Sequence, residues 1–288
     1  MSQRRVSLAV LLLGAAGSVY AWLTPFDSPD VFGGLPKVES FWLRLSTHTL
    51  QNPGFVIGYS EWRRAPLWAA FRASKIGDER GGTRPDHFSQ DARTLFEVES
   101  DDYRNSGYDR GHLAPNYLIS RLYGHKAQQA SFLMSNIAPQ SRRLNQLLWQ
   151  RLEEAEADVV APRVGELWVL TGPVYGGGRR LVSGVEIPDA FFRIWLDVRS
   201  HSVLAFLVPQ EVCGDEPLDD YLVSVDEIEQ RTGLDFFAGL DDIAETALEA
   251  ALDAAGWQIE SFNRAPARYA EKFRGPKCQE RVSGKFRR

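Results

Sequence analysis

The chain has 288 residues, 44% of them hydrophobic and 25% charged, with 24 Gly, 15 Pro and a formal net charge of −5. That composition supports a packed core and excludes a disordered, collagenous or coiled-coil chain. The acidic balance also excludes a surface that is basic everywhere, so any polyanionic partner must be met by a local positive groove.

Arg4 and Arg5 precede an uncharged stretch, Val6 to Leu23, which is followed by Pro25. A positive start, an apolar run and Val19-Tyr20-Ala21 read as a signal peptide cut after Ala21. At about 18 residues the run also reaches the lower limit of a membrane-spanning helix, so a retained anchor through residues 6–23 is the second reading, ahead of a buried core helix. Either reading places the body outside the cytoplasm, as an exported protein that is periplasmic, secreted or anchored. Residues 22–53 then form an extension, 54–260 one domain, and 261–288 a basic C-terminal tail.

Alternating or β-rich runs at 54–61, 68–73, 95–98, 167–171, 190–198 and 203–209 predict strands of a largely antiparallel sheet. Helical spacing appears at 126–133, 141–157, 224–232 and 241–255. In the second of these, Leu144, Leu147, Leu148 and Leu152 recur at three- and four-residue steps and turn one stripe to a core. Ser224 with Glu227 predicts a capping box, and Gly233 a helix end. Strands and helices do not alternate regularly, which makes the fold class α+β.

Charge is unevenly distributed. Glu211 to Asp253 holds fourteen acidic residues against one basic, Arg231, whereas Arg264 to Arg288 holds nine basic against two acidic. The two cysteines, Cys213 and Cys278, have neither CxxC spacing nor a histidine cluster, so a zinc site is not expected. In an oxidising compartment they would join and tie the tail to the body, the alternative being two separate thiols.

Two segments carry chemistry. Asp109-Arg110-Gly111-His112 places a carboxylate, a guanidinium and an imidazole in four residues, with a glycine suited to a tight turn. An imidazole with an ordinary pKa near 6.5 takes a proton from water when it is held neutral, and a guanidinium neutralises phosphate. By itself this segment equally describes a surface turn in which Asp109 pairs with Arg110. Downstream, Ser135-Asn136-Ile137-Ala138-Pro139-Gln140 leads into Leu144-Asn145-Gln146, Trp149 and Leu152-Glu153. Asn145, Trp149 and Leu152 fall on one side of the predicted helix, with Glu153 beside them two turns beyond Asn145. An amide oxygen and a carboxylate so placed are hard ligands suited to Mg2+. Either residue alone would more simply be a solvated helix-surface group.

In these motifs, in this order and spacing, the chain resembles the DNA/RNA non-specific endonucleases, the ββα-metal (His-Me finger) nucleases that include endonuclease G and the secreted Serratia nuclease. Weaker similarity runs from about Gly54 to Phe237 and includes Leu170-Thr171-Gly172-Pro173-Val174-Tyr175. The resemblance implies a mostly antiparallel central sheet flanked by helices, DNA and RNA as substrates, Mg2+ (with Mn2+ as a substitute) as cofactor, and a homodimer as an option. It implies His112 as general base, Asn145 as metal ligand, and Glu153 as holder of water in the metal's shell. Asn136 would lie at the cleft supporting the loop or the scissile phosphate, Arg110 would face substrate, and Arg84 would contact the phosphate or leaving group. The secreted relative carries an arginine four residues after its glutamate where this chain has Ala157, so Arg151 or a distant arginine would have to supply that contact. Two rivals stay open: an idle nucleic-acid-binding or anchored adaptor, and a phosphodiesterase of small or lipid phosphates.

Overall fold

The apolar runs at 54–61, 68–73, 167–171, 190–198 and 203–209 all become strands of one sheet in the computed structural model, which describes residues 31–77, 82–252, 254–275 and 278. The strands are β1 (Lys37–Val38), β2 (Thr47–Asn52), β3 (Phe55–Ser60), β4 (Ala65–Ser74), β5 (Tyr108–His112), β6 (Ile137–Ser141), β7 (Glu166–Val174), β8 (Ala190–Asp197), β9 (Ser202–Pro209), β10 (Leu222–Val223) and β11 (Leu234–Asp235). Seven of them form the main sheet in the order β10-β9-β8-β7-β4-β3-β2, every pairing antiparallel. Their side chains alternate between two cores. On β8 and β9, Phe191, Trp195, Leu204, Phe206 and Val208 face one core. Phe192, Ile194, Leu196, Val203, Ala205 and Leu207 face the other. Both faces are covered, which is why these segments read as continuous apolar runs.

The first core is closed by α2 (Asn116–Ser131) and α3 (Trp149–Ala155). Leu144–Leu148 and Glu156–Val160 are π-helical turns on either side of α3, and α4 (Ala161–Val164) continues the helix to Gly165. The second core is closed by α5 (Val225–Thr232) and α6 (Asp242–Glu249), with α1 (Phe41–Leu45) beside them at the chain's start. Ser224 caps α5 by accepting the Glu227 N–H at 3.2 Å, and Gly233, in the left-handed region, ends it. The Glu227 carboxylate binds Arg231.

Three expectations change. Residues 95–98 form a loop: Leu95 and Phe96 are exposed, and the Glu61 carboxylate accepts their N–H groups at 3.0 and 3.3 Å in place of a strand partner. The helix expected at 126–133 starts at Asn116 and is kinked at Gly124 (φ 80°). The helix expected to end at 157 runs on to Val164, because the π turn absorbs the change of register and Pro162 stands at the start of α4, where its missing N–H is tolerated. The leader 1–21 lies outside the described residues, among which no helix is long and apolar enough to cross a membrane.

Cys213 and Cys278 are joined. The bond spans 65 residues, a loop whose closure removes about 4 kcal/mol of unfolded-chain entropy. Upstream of it, Trp257, Ile259 and Phe262 pack into the first core. Arg151, nearly fully buried, donates to the carbonyls of Ala265, Asn263, Gly214 and Glu216. The C-terminal segment is thus fastened to the rest of the fold by packing, a guanidinium clamp and, through the loop after β9, a covalent bond.

Candidate active site

β5 and β6 pair as a separate two-stranded ribbon with Asp109 opposite Gln140, Gly111 opposite Ala138 and His112 opposite Ile137. The ribbon runs into the helix that begins at Leu144, so both motif segments meet in one ββα unit. Gly111 lies within β5 rather than in a turn. A Cβ there would run into the Gln140 side chain, which would have to move to admit any other residue.

Pleating sends Asp109 and Arg110 to opposite faces, and they do not pair. Asp109 Oδ2 accepts from Asn145 Nδ2 at 3.1 Å and from Gln146 Nε2 at 2.7 Å, with Arg142 Nε 3.9 Å from Oδ1. A carboxylate has no proton to give, so the Asn145 NH2 must face Asp109 and its Oδ1 is left for another partner. Arg110 donates from Nε and Nη2 to the Ser100 carbonyl and lies over Phe88 and Tyr103.

His112 is held between aromatic rings, with centroids 5.3 Å from Phe88 and 5.1 Å from Phe132. Phe88 is placed there by the bridge in which Ser89 donates to Phe132 O and accepts from Met134 N–H. Burial in this box, helped by the positive charge of Arg84, lowers the His112 pKa to about 3, so the ring is neutral at any ordinary pH. Nε2 is buried and makes no hydrogen bond with the described residues.

Asn145, Gln146, Gln150, Glu153 and Glu154 share a cleft of about 370 Å3 with Arg84, Arg110 and His112. Trp149 and Leu152 face the core instead. The predicted common stripe is therefore split, because the π turn at 144–148 rotates Asn145 away from Trp149 and onto the Glu153 side. Glu153 is half-buried. Burial pushes its pKa up to about 8, with Glu156 and Glu154 adding to the rise and Arg193 and Arg84 opposing it. Beneath it Glu156 and Arg193 form a fully buried pair, with Nε and Nη2 2.7 and 2.8 Å from the two carboxylate oxygens and Trp195 Nε1 donating at 2.7 Å.

Asn136 is not on the cleft wall. Its amide is spent on the chain after His112, accepting from Ala114 N–H at 2.9 Å and donating to Ala114 O and Ser131 O at 3.0 and 2.9 Å. It positions the loop and has no group left for a phosphate. Arg151 is likewise committed to the C-terminal segment and does not replace the arginine missing at Ala157. Arg268 and Tyr269, from that segment, do line the cleft, together with Tyr117. Sequence reasoning missed these three as well as Asp109 and Gln146. Adjacency to Asn145 was the available signal for Gln146, while Arg268 had only its place in a basic tail.

The cleft offers a neutral imidazole, an amide oxygen, two carboxyl groups and guanidinium groups. The donor set is all hard oxygen and suits Mg2+ rather than zinc. A carboxyl group with a raised pKa also ionises readily when a cation arrives. The three-carboxylate groupings among the described residues, Asp226-Glu229-Glu249 and Asp235-Glu245-Glu249, lie elsewhere, around α5 and α6.

The family described as DNA/RNA non-specific endonuclease matches residues 39–243. The nuclease of Serratia marcescens is 31% identical over 263 residues, covering 86% of this chain and 94% of its own length. The human mitochondrial nuclease EXOG is 29% identical over 270 residues, covering 81% and 72%. A chain in the crystal structure of the EndoG/EndoGI complex aligns with a TM-score of 0.62 and 23% identity over 75% of this chain and 95% of that one, a likeness of fold.

Proposed function

Because the chain belongs to the DNA/RNA non-specific endonuclease family, we propose that it hydrolyses internal phosphodiester bonds of DNA and RNA with little sequence preference. His112 is the general base, and Asn145 is the ligand of one divalent cation, Mg2+ with Mn2+ as a substitute. The observation that carries this reading is the Asp109 carboxylate, which turns the Asn145 amide so that its oxygen is available in the cleft that also holds His112.

Kept neutral between Phe88 and Phe132, His112 takes a proton from a water aligned with the scissile bond. The water oxygen bonds to phosphorus as the P–O3′ bond breaks, the departing O3′ takes a proton from a second water, and His112 returns its proton to solvent, leaving 5′-phosphate and 3′-hydroxyl ends. Arg84 and Arg110 neutralise phosphate oxygens from the cleft wall. Asn145 would hold the cation and Glu153 a water in its shell, and the cation when bound would supply positive charge to the phosphate. Such contacts fall on phosphate and sugar, and they position a strand without reading its bases. Residues 1–21 act as an export leader or anchor, and the Cys213–Cys278 bond accords with an oxidising compartment.

The reading is tested at Asn145. In Asn145→Ala the rate of plasmid nicking falls and the half-saturating Mg2+ concentration rises by about tenfold or more, since even partners of metal ligands typically cost 10–100-fold in affinity. An unchanged Mg2+ titration curve would remove Asn145 from the metal site.

A further inference from the structure

The C-terminal segment reaches the cleft with a side chain that the fold does not need. Its path is set by buried Trp257, Ile259, Phe262 and Ala267 and by the Arg151 clamp. At Arg268 it is the backbone that is held, the N–H donating to both Glu154 carboxylate oxygens at 3.2 and 2.9 Å. The guanidinium is on the cleft with 43% of the side chain exposed, lying 5.2 Å from the Tyr117 ring centroid, paired with Asp158, itself 38% exposed, and with Nε 4.0 Å from Glu154 Oε1. Tyr269 follows, 51% exposed and also on the cleft. The family match ends at residue 243, so this wall lies beyond it.

We infer that Arg268 and Tyr269 form a strand-binding subsite of the nuclease, in which Arg268 grips a backbone phosphate away from the cleaved bond and Tyr269 stacks on a base. The inference rests on the nuclease reading and adds to it the phosphate contact that Ala157 does not provide. An ion pair as exposed as Arg268–Asp158 is weak, and a phosphodiester offers the planar guanidinium two oxygens in its place. Exposed aromatic side chains beside such a cation form the usual platform for an unpaired base. Arg84 and Arg110, near His112, and Arg268 from the C-terminal segment line the same cleft and give a strand more than one phosphate contact.

The experiment uses the full chain and a short single-stranded oligodeoxynucleotide in Mg2+. Steady-state kinetics are measured for wild type, Arg268→Ala, Arg268→Lys and Tyr269→Ala, with thermal melting of each. Fluorescence anisotropy of the same oligonucleotide is measured in a His112→Ala background, where binding is read without turnover. In Arg268→Ala the expected result is a KM and a dissociation constant raised about tenfold, kcat within twofold of wild type and Tm unchanged. The slope of log affinity against log salt should shrink by about one phosphate contact. Arg268→Lys restores most of the affinity, and Tyr269→Ala raises KM without changing the salt slope. Unchanged affinity in Arg268→Ala, an unchanged salt slope, or a kcat that falls together with Tm overturns the subsite. Absence of cleavage by wild type counts against the nuclease reading instead, and the anisotropy comparison still decides the subsite.

Discussion

Replacing His112 by alanine abolishes cleavage while leaving fold and most nucleic-acid affinity in place. A positioned base contributes about 100- to 10,000-fold, and kcat should fall within that range or below detection. Affinity persists because the phosphate contacts come from arginines that the substitution leaves untouched. The pH dependence of wild type gives a second readout. The His112 ring is held neutral by Phe88 and Phe132, with its pKa lowered from 6.5 to about 3, so this ring contributes no acid limb near 6.5 to kcat/KM. Between about 3 and 6.5 the unfolded chain binds a proton at this histidine that the native chain does not, so stability falls as the pH drops through that window. His112→Ala loses that part of the acid sensitivity. A His112→Ala enzyme with full activity would place the base elsewhere.

Arg193→Met destabilises the protein by about 3–5 kcal/mol, the usual result of removing one partner from a buried ion pair. The pair is fully buried: Arg193 on β8 holds both oxygens of Glu156 in the π turn after α3. Losing the guanidinium leaves a buried carboxylate whose remaining donor is Trp195 Nε1. The double variant Arg193→Met/Glu156→Gln removes the charge as well and recovers most of the loss. Urea unfolding of the two variants measures this. Equal destabilisation in both would mean that the cost lies in packing against Phe71 and Trp149 rather than in charge. The pair also fastens to the sheet the helix that carries Asn145 and Glu153, so the single variant should lose activity before it unfolds.

What could be read in advance divides along physical lines. Strands β3, β4, β7, β8 and β9 were legible because they are buried on both faces and rich in β-branched and aromatic residues. The β5–β6 ribbon was not. Its residues are polar, Pro139 interrupts the pattern, and α2 separates its two strands. His112, Asn145 and Glu153 stood out because their side chains carry recognisable chemistry at family spacing. The roles of their neighbours depend on tertiary contacts that no local pattern contains. Asp109 looked like half of a turn pair and instead turns an amide on another element. Of the two roles open to Asn136, the loop or the phosphate, its hydrogen bonds take the loop after His112. Arg151 and Arg268 look alike in sequence, yet one is buried as a clamp and the other is exposed on the cleft. The common helical stripe failed because spacing rules assume an unbroken α-helix, and a π turn intervenes.

The most direct measurement of the central claim is digestion of supercoiled DNA and of a structured RNA by the purified chain, in Mg2+ and again with EDTA. Cleavage of both substrates at many positions, with 5′-phosphate ends and complete arrest by EDTA, is the predicted result. Intact substrates in Mg2+, or cutting that continues in EDTA, would contradict it.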